Sequence, residues 1–294
     1  MCRPKVISLH RRFSTSLVRQ QIISSKSKRY LSTMVIQQAK QVWKKADAVC
    51  FDVDSTVITD EGIDELAAFC GKGKEVSQWT TRAMGGGIPF RTALRERLGI
   101  INASREKLHE FIERNPVHLT PGIRELVNRL QEQGTAVYLV SGGFRRVIQR
   151  AAEQLDIPDE NIFANRLQFD DEGHYNGFDE NEPTSDSGGK TRVLKLLKEK
   201  YGYKSLVMIG DGATDLETFP SAADTFIGFG GNVVREKVKA HAPWYVTDFK
   251  ELLKELNPSS QNGATENGAS EHLMNGLNGA SEHVISGVNS KHYI

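Results

Sequence analysis

The sequence predicts an α/β fold, a doubly wound and mostly parallel sheet with an inserted helical cap domain. Short apolar segments alternate with segments of helical periodicity, and a long helical stretch separates the first two of them. Several apolar segments also end in small or acidic residues. Alternation of this kind is typical of βαβ units, in which parallel strands form the centre of the sheet.

Four apolar segments have the length and composition of buried strands. They are Ala48–Val53, Ala136–Val140, Leu206–Ile209 and Thr225–Phe229. Two connecting helices have recognisable ends. One is expected to begin at Thr120-Pro121-Gly122, with Thr120 as its N-cap, and to stop near Gly134. The other runs from about Gly189 to Gly202.

The region between the first two strands is too long for a simple crossover. Its helical stretches are Ile63–Cys70, Val76–Met84, Phe90–Leu98 and Arg105–Glu113. We therefore expect a catalytic core of residues 46–61 and 120–256, and a helical cap of residues 62–119 that closes over the site and excludes water. A polar insertion, Asn165–Pro183, has the pattern of a hairpin.

Composition disfavours several classes of protein. The 294 residues include 38 Lys and Arg against 37 Asp and Glu, so no overall charge favours nucleic acid or a membrane surface. The three cysteines show no metal-ligand spacing, and no apolar run approaches the ~20 residues of a membrane span. We expect a small-molecule substrate as the partner, and the oligomeric state stays open between monomer and homodimer.

Both ends of the chain differ from its middle. Residues 1–45 are basic, serine-rich and free of acidic residues, which favours a presequence for the mitochondrion or another organelle. The alternatives are a disordered basic arm, or a cytoplasmic form that starts at Met34. Residues 257–294 are rich in Asn, Gly and Ser and repeat Asn-Gly-Ala-Ser-Glu-His, which predicts a disordered tail.

The first predicted strand ends in two carboxylates, Asp52 and Asp54. Residues two apart on a strand point to the same side, and two carboxylates ~4 Å apart repel by about 4 kcal/mol at an effective dielectric constant of ~20. A hard divalent cation would offset this repulsion. Ligands of open α/β sheets bind at the carboxyl ends of strands, so the pair indicates a functional site.

Polar groups also follow two other strands. Ser141-Gly142-Gly143 ends one, and Gly210-Asp211-Gly212-Ala213-Thr214-Asp215 follows another, where small residues allow backbone amides to approach an anion. Lys190 lies in the first turn of a predicted helix, where its ammonium and the helix dipole would together bind a phosphate. Each feature alone is common in turns and exposed helices, but in combination with the carboxylate pair they indicate phosphate chemistry.

In this order, these groups resemble the motifs of the haloacid dehalogenase superfamily of phosphotransferases. The motifs are Asp-x-Asp-x-Thr at 52–56, Ser141, Lys190 and Gly-Asp-Gly-x-x-Asp at 210–215. Further stretches are similar to the branch that hydrolyses O-phospho-L-serine, namely residues 61–66, 82–86, 119–126 and 226–233. The resemblance covers residues 46–256 and neither end.

The resemblance implies a mechanism that the residue chemistry also favours. Asp52 is expected to attack phosphorus and form an aspartyl-phosphate, while Asp54 acts first as general acid and then as general base. This division of roles requires the two carboxyls to have opposite pKa shifts. Mg2+ is the implied cofactor, with ligands from Asp52, Asp211 and the main-chain carbonyl of Asp54.

Other implied site residues bind the phosphoryl group or the rest of the substrate. The phosphoryl group is assigned to Ser141, Gly142, Gly143 and Lys190, with Asp215 orienting Lys190 or a metal-bound water. The substrate ammonium is assigned to Glu61, the carboxylate to Arg97, and the pocket lining to Met84, Gly85 and Thr214. From the residues alone Arg91 and Arg95 are as eligible as Arg97, and Glu61 suits a helix N-terminus equally well.

Three other functions are alternatives to hydrolysis of this substrate. A phosphatase or phosphotransferase for another small phosphate ester shares every core motif and differs only in cap residues. A non-enzymatic binding module is disfavoured because all the core catalytic side chains are present. A nucleotide-binding Rossmann domain is disfavoured because no Gly-x-Gly-x-x-Gly follows the first strand.

Overall fold

The structure, a computed structural model, describes residues 30–84 and 87–257. Its main sheet has six strands, all parallel, in the spatial order β3-β2-β1-β6-β7-β8. The strands are β1 (Ala48–Phe51), β2 (Ala136–Phe144), β3 (Ile162–Asn165), β6 (Leu206–Gly210), β7 (Thr225–Phe229) and β8 (Trp244–Val246). The α/β class and the four predicted strands are confirmed, and β3 and β8 are two further strands at the sheet edges.

Helices cover both faces of this sheet. Successive residues of β1 point to opposite faces: Val49 and Phe51 belong to one hydrophobic cluster, Ala48 and Cys50 to the other. The first cluster contains residues of α1 (30–44), α6 (Ile123–Glu132), α7 (Arg145–Gln154) and α11 (Phe249–Leu256). The second contains residues of α8 (Gly189–Tyr201) and α10 (Glu236–His241). Strands buried on both faces are typical of a doubly wound parallel sheet.

The N-terminal boundary of the folded core differs from the prediction. Residues 30–44 form the helix α1 rather than part of an arm. Ala39 and Trp43 are buried, and the Trp43 indole Nε1 donates to the Leu252 carbonyl at 3.1 Å. The basic composition of this segment concealed an apolar stripe that packs on α11. The predicted presequence falls partly on residues 1–29, and the predicted tail on residues 258–294, which lie outside the described residues.

Four helices form the cap between β1 and β2. They are α2 (Gly62–Phe69), α3 (Gly73–Met84), α4 (Phe90–Ile101) and α5 (Arg105–Arg114). The chain leaves and re-enters the core side by side, since Ile58 and Leu119 form an isolated antiparallel bridge. The hydrophobic cluster of the cap includes Phe144 and Val147 from the core, so the cap packs directly beside the end of β2.

The polar insertion forms the predicted hairpin. Strands β4 (Leu167–Phe169) and β5 (Tyr175–Phe178) pair antiparallel. Phe178 is buried in the cap cluster, so the hairpin supports the cap. Within the described residues no helix is both long enough and apolar enough to cross a membrane.

The start of α6 differs from the prediction. Gly122, with a φ of 84°, takes the N-cap position, and the helix begins at Ile123. Thr120 does not cap the helix; its hydroxyl instead donates to the Thr56 carbonyl at 2.7 Å. This bond ties the returning chain to the turn that follows β1. Gly134, with a φ of 77°, follows the end of the helix as expected.

Candidate active site

Three neighbouring strands bring the predicted polar groups to one edge of the sheet. β1 lies between β2 and β6, and all three run in the same direction. Asp52 follows β1, Ser141 lies near the end of β2, and Asp211 follows β6. Lys190 enters from the first turn of α8, beside these strand ends.

Lys190 is the central cation of the site. Its Nζ lies 2.6 Å from Asp52 Oδ1 and 2.6 Å from Asp215 Oδ1, and the side chain is buried. Burial alone would lower the pKa of Lys190, but the charges and hydrogen bonds of Asp215 and Asp52 outweigh it and raise the pKa above its ordinary value. Lys190 is therefore a permanent positive charge at this edge.

Asp54 lies in an environment that favours its protonated form. Burial, then the charges of Asp52 and Glu61, raise the pKa of Asp54 to about 7. Its Oδ1 accepts a hydrogen bond from the Gly62 amide at 2.7 Å, and its Oδ2 accepts one from the Ser141 hydroxyl at 3.2 Å. Asp54 can thus both donate and accept a proton near neutral pH.

The backbone that places these two carboxylates is a turn, not a strand. β1 ends at Phe51, and residues 53–57 form a tight turn in which Ser55 adopts a φ of 56°. The prediction that Asp52 and Asp54 share one side of a strand is therefore wrong. The turn lets Asp52 contact Lys190 while Asp54 contacts Gly62 and Ser141.

Three buried carboxylates form a cluster with the chemistry of a cation site. One oxygen each from Asp52, Asp211 and Asp215 lies within 4.8 Å of the others. Burial and the charge of Asp52 raise the pKa of Asp211 to about 6 and that of Asp215 to about 7. A group of hard oxygen donors that destabilise one another in this way fits a divalent cation.

Two glycines allow the end of β2 to approach its neighbours closely. A Cβ on Gly143 would lie 2.7 Å from Asp54 Oδ2, and one on Gly142 would lie 2.8 Å from the Phe90 ring. The Gly143 amide donates to the Ser141 Oγ at 2.9 Å. The side-chain amide Nδ2 of Asn165, at the end of β3, donates to the Gly142 carbonyl at 2.8 Å. A side chain at either position would therefore have to displace Phe90 or Asp54.

The cap and the core enclose a cavity of about 640 Å³ above these groups. The predicted residues that line it are Asp52, Asp54, Glu61, Arg97, Gly142, Gly143, Lys190, Asp211 and Thr214. Ser141 and Asp215 are fully buried behind them. Of the three eligible arginines, Arg97 alone lines this cavity, whereas Arg91 and Arg95 bind Glu180. Gly85 lies outside the described residues, as does the Met84 side chain.

Sequence reasoning missed Arg235. Its Nε donates to Asp211 Oδ2 at 2.6 Å and its NH2 group lies 3.3 Å from Glu61 Oε1, so it joins the carboxylate cluster to the cap side of the cavity. Burial would lower the pKa of Arg235, but the bond to Asp211 and nearby carboxylates raise it. Arg235 follows β7 by six residues and adjoins no strand end, so no local signal marks it.

Comparison with known proteins agrees with this geometry. Residues 46–223 match the model of the haloacid dehalogenase-like hydrolases. Human phosphoserine phosphatase is 59% identical over 219 residues, which cover 74% of this chain and 97% of the human protein. The chloroplastic phosphoserine phosphatase of Arabidopsis thaliana is 52% identical over 217 residues, 74% of each chain.

A solved structure shares the fold as well as part of the sequence. It is a phospho-aspartyl intermediate analogue of phosphoserine phosphatase, with a TM-score of 0.62 and 30% identity over 71% of this chain and 98% of the other. The geometry of the site and these similarities point to the same family: carboxylates lie at the strand ends beside a buried lysine, and the relatives are phosphoserine phosphatases. The chain belongs to the family of haloacid dehalogenase-like hydrolases and, within it, to the group of phosphoserine phosphatases.

Proposed function

We propose that this protein hydrolyses O-phospho-L-serine to L-serine and phosphate, the last step of serine biosynthesis. The observation that carries the proposal is the pair of unlike carboxyls at one cavity, Asp52 bound to Lys190 and Asp54 with a pKa of about 7. A nucleophile must be ionised and a general acid protonated at the same pH. The relatives named above are phosphoserine phosphatases.

In the first step, a carboxylate oxygen of Asp52 bonds to phosphorus and the ester P–O bond breaks. Asp54 donates its proton to the departing serine oxygen, which would otherwise leave as a strongly basic alkoxide. In the second step, Asp54 accepts a proton from water as the water oxygen attacks phosphorus, and the bond to Asp52 breaks. The two steps return both carboxyls to their starting forms.

Three groups are proposed to bind the phosphoryl oxygens through both steps. They are the Lys190 ammonium, the Ser141 hydroxyl and the Gly142 amide, with Gly143 beside them. Donors held in place before the reaction stabilise the charge of the transition state without reorganising. Asp215 is proposed to orient Lys190, because its Oδ1 lies 2.6 Å from the Lys190 Nζ.

The cofactor is proposed to be Mg2+. Asp52, Asp211 and the main-chain carbonyl of Asp54 would hold it, and hard oxygen ligands of this kind suit the ion. When bound, Mg2+ supplies positive charge that offsets the carboxylates and the phosphate. The Asp211→Asn variant is expected to need more Mg2+ for half-maximal activity than the wild type, whereas an unchanged requirement would contradict the assignment of Asp211.

Substrate selection is proposed to reside on the cap side of the cavity. Glu61 would bind the ammonium and Arg97 the carboxylate of phosphoserine, beside Met84, Gly85 and Thr214. Both charged groups are partly withdrawn from water, and this burial raises the pKa of Glu61 and lowers that of Arg97. Charges placed in this way bind opposite charges more strongly than exposed ones do.

Phosphate release from a panel of esters tests the substrate. Phosphoserine, phosphothreonine and phosphoethanolamine would be compared at saturating Mg2+, with a magnesium-free reaction as the control. We expect the highest kcat/KM for phosphoserine, because phosphoethanolamine lacks the carboxylate and phosphothreonine adds a methyl group on the carbon that bears the phosphate ester. Preference for phosphoethanolamine or another ester would support the alternative of a phosphatase for a different small molecule.

We also propose an organelle location, with residues 1–29 as part of the targeting segment. The basic, acid-free composition supports this, as does the existence of a relative named chloroplastic. A fluorescent protein fused to residues 1–45 should accumulate in mitochondria or plastids. A diffuse cytoplasmic signal would contradict targeting and favour the form that starts at Met34.

A further inference from the structure

Two cap arginines that do not line the cavity both bind the core. Arg91 donates to Glu180 Oε2 at 3.3 Å, to the Glu180 carbonyl at 3.1 Å and to Ser185 Oγ at 3.2 Å. Arg95 donates to Glu180 Oε1 at 2.5 Å. The carboxylate of Glu180 in the core thus accepts hydrogen bonds from two cap arginines. We call these contacts of Arg91, Arg95, Glu180 and Ser185 the clamp.

The clamp joins two segments that carry groups of the site. On the cap side, α4 also carries Arg97, which lines the cavity six residues after Arg91. Six residues of helix span about 9 Å, so a tilt of α4 at Arg91 displaces Arg97. The start of α4 is held near the clamp as well, because the Phe90 amide donates to Ser187 Oγ at 3.3 Å.

On the core side, the loop 183–189 leads into α8 and Lys190, and it is held in place without the cap. Arg192 donates to the carbonyls of Pro183 and Ser187, both at 2.8 Å. The Thr184 hydroxyl donates to Asn165 Oδ1 at 2.9 Å. Gly189 packs so tightly that a Cβ on it would lie 2.2 Å from the Pro183 carbonyl oxygen. Loss of the clamp should therefore release the cap and leave Lys190 in position.

We propose that Arg91 is a positioning residue for the reaction, which acts with Arg95 and Glu180 to hold α4 where Arg97 meets the substrate carboxylate. This inference rests on the proposed function. Isolated surface ion pairs contribute little, but here three acceptors converge on one guanidinium that is only 29% exposed. The clamp thereby links cap closure to recognition of the amino-acid part of the substrate.

The test uses the full chain, two substrates and three variants. Arg91→Gln, Glu180→Gln and the double variant would be assayed with phosphoserine and with p-nitrophenyl phosphate, an ester that has neither ammonium nor carboxylate. We expect the KM for phosphoserine to rise about tenfold in each single variant, with kcat and the p-nitrophenyl phosphate reaction changed by less than about threefold. The loss in the double variant should be smaller than the sum of the two single losses, because each single variant already breaks the Arg91–Glu180 ion pair.

Arg114→Gln is the matched control. It removes one arginine from the cap, but Arg114 is 70% exposed and pairs with Glu110 of its own helix rather than with the core. Its KM should stay at the wild-type value. Amide hydrogen exchange in residues 90–101 should be faster in Arg91→Gln than in Arg114→Gln.

The outcomes separate the two proposals. A wild-type enzyme that hydrolyses p-nitrophenyl phosphate but not phosphoserine would overturn the proposed function. A wild-type enzyme active on phosphoserine, with Arg91→Gln and Glu180→Gln equal to it or with additive losses in the double variant, would overturn the clamp alone. Equal losses with both substrates, accompanied by a lower unfolding midpoint, would show a purely structural role and also overturn the clamp.

Discussion

Asp52 and Asp54 are two residues apart, yet their surroundings differ sharply. Asp52 contacts the ammonium of Lys190, whereas Asp54 contacts an amide and a hydroxyl and is partly buried near other carboxylates. A nearby cation favours the ionised form, and burial beside anions favours the neutral form. Because the two environments differ, the roles proposed for Asp52 and Asp54 depend on the turn at 53–57 as much as on the carboxyls themselves.

Replacing Asp54 by asparagine tests its role as the acid. Turnover of phosphoserine by Asp54→Asn should fall by about 10² to 10⁴, since the serine oxygen would leave without a proton. With p-nitrophenyl phosphate, whose leaving group is weakly basic, the variant should release about one nitrophenolate per enzyme and then stall, because Asp54 also activates the water. Rapid-mixing absorbance measures this burst.

The control for that experiment is Asp52→Asn, which should show neither the burst nor turnover. Asparagine cannot form the aspartyl-phosphate. An Asp54→Asn enzyme that hydrolyses phosphoserine within about tenfold of the wild-type rate would contradict the assignment of Asp54, because general acid catalysis contributes more than that.

Truncating Arg97 tests the proposed carboxylate site. In Arg97→Ala the KM for phosphoserine should rise by about 10- to 100-fold, the equivalent of one charged hydrogen-bonding partner. The KM for phosphoethanolamine, which has no carboxylate, should change much less, and it serves as the internal control in the same steady-state assay. Equal changes for the two substrates would contradict the role of Arg97.

The structure brings together the predicted site residues that lie near strand ends. Asp52, Ser141 and Asp211 lie at or near the ends of three neighbouring parallel strands, so their proximity follows from the topology alone. Arg97 and Arg235 reach the cavity from a helix and from a loop. Which of several charged helix residues turns inward depends on the packing of the cap, and local sequence does not encode that packing.

At the scale of elements, short strands and a basic helix escaped prediction. β3 and β8 contain four and three residues, too few for a periodic pattern to stand out. Helix α1 was hidden by its charge, although Ile36, Ala39, Val42 and Trp43 all belong to its packed side. The four cap helices span 8 to 12 residues each, and their predicted positions agree with the structure.

Two lysines of α1 anchor it to α11 through the carboxylate of Glu255. A fall in pH should weaken this contact. Glu255 lies 2.5 Å from Lys40 Nζ and 2.9 Å from Lys44 Nζ, and the hydrogen bonds from Lys40 and Lys44 lower its pKa. Folding therefore favours the ionised form of Glu255. The resulting stability is complete above the unfolded-state pKa of about 4.3 and is lost as the pH falls through the lower folded-state value.

Glu255→Gln should accordingly reduce the free energy of unfolding by about 0.5–1 kcal/mol at pH 7, the range of solvent-screened surface pairs. The difference from the wild type should be smaller at pH 3 than at pH 7. Urea titrations at the two pH values measure it, with the exposed Glu199→Gln on α8 as the control. A difference that stays constant or grows as the pH falls would contradict the ion-pair explanation.

At the scale of the molecule, one site is assembled from segments distant in sequence. Asp52, Lys190 and the carboxylate cluster belong to the core, Glu61 directly precedes the cap, and Arg97 lies on the cap helix α4. Parallel strand order accounts for the core part without any knowledge of side-chain packing. The position of Arg97 depends on how α4 packs against the hairpin. The sequence therefore predicts where the cap lies in the chain, but not which of its side chains reach the cavity.

The described core also sets which parts of the chain the enzyme needs. A protein of residues 30–257 should fold and hydrolyse phosphoserine at the full-length rate, because it keeps α1, the sheet and the cap.

A protein of residues 46–257 lacks Trp43, which is 1% exposed and hydrogen-bonded to Leu252. Removal of a buried tryptophan alone costs about 3–5 kcal/mol. The shorter protein should therefore unfold at a much lower urea concentration, and Trp43→Ala in the 30–257 protein should reproduce most of the loss even if the shorter protein fails to fold. Equal midpoints for the 30–257 protein and its Trp43→Ala variant would show that α1 is dispensable and that the core begins at residue 46.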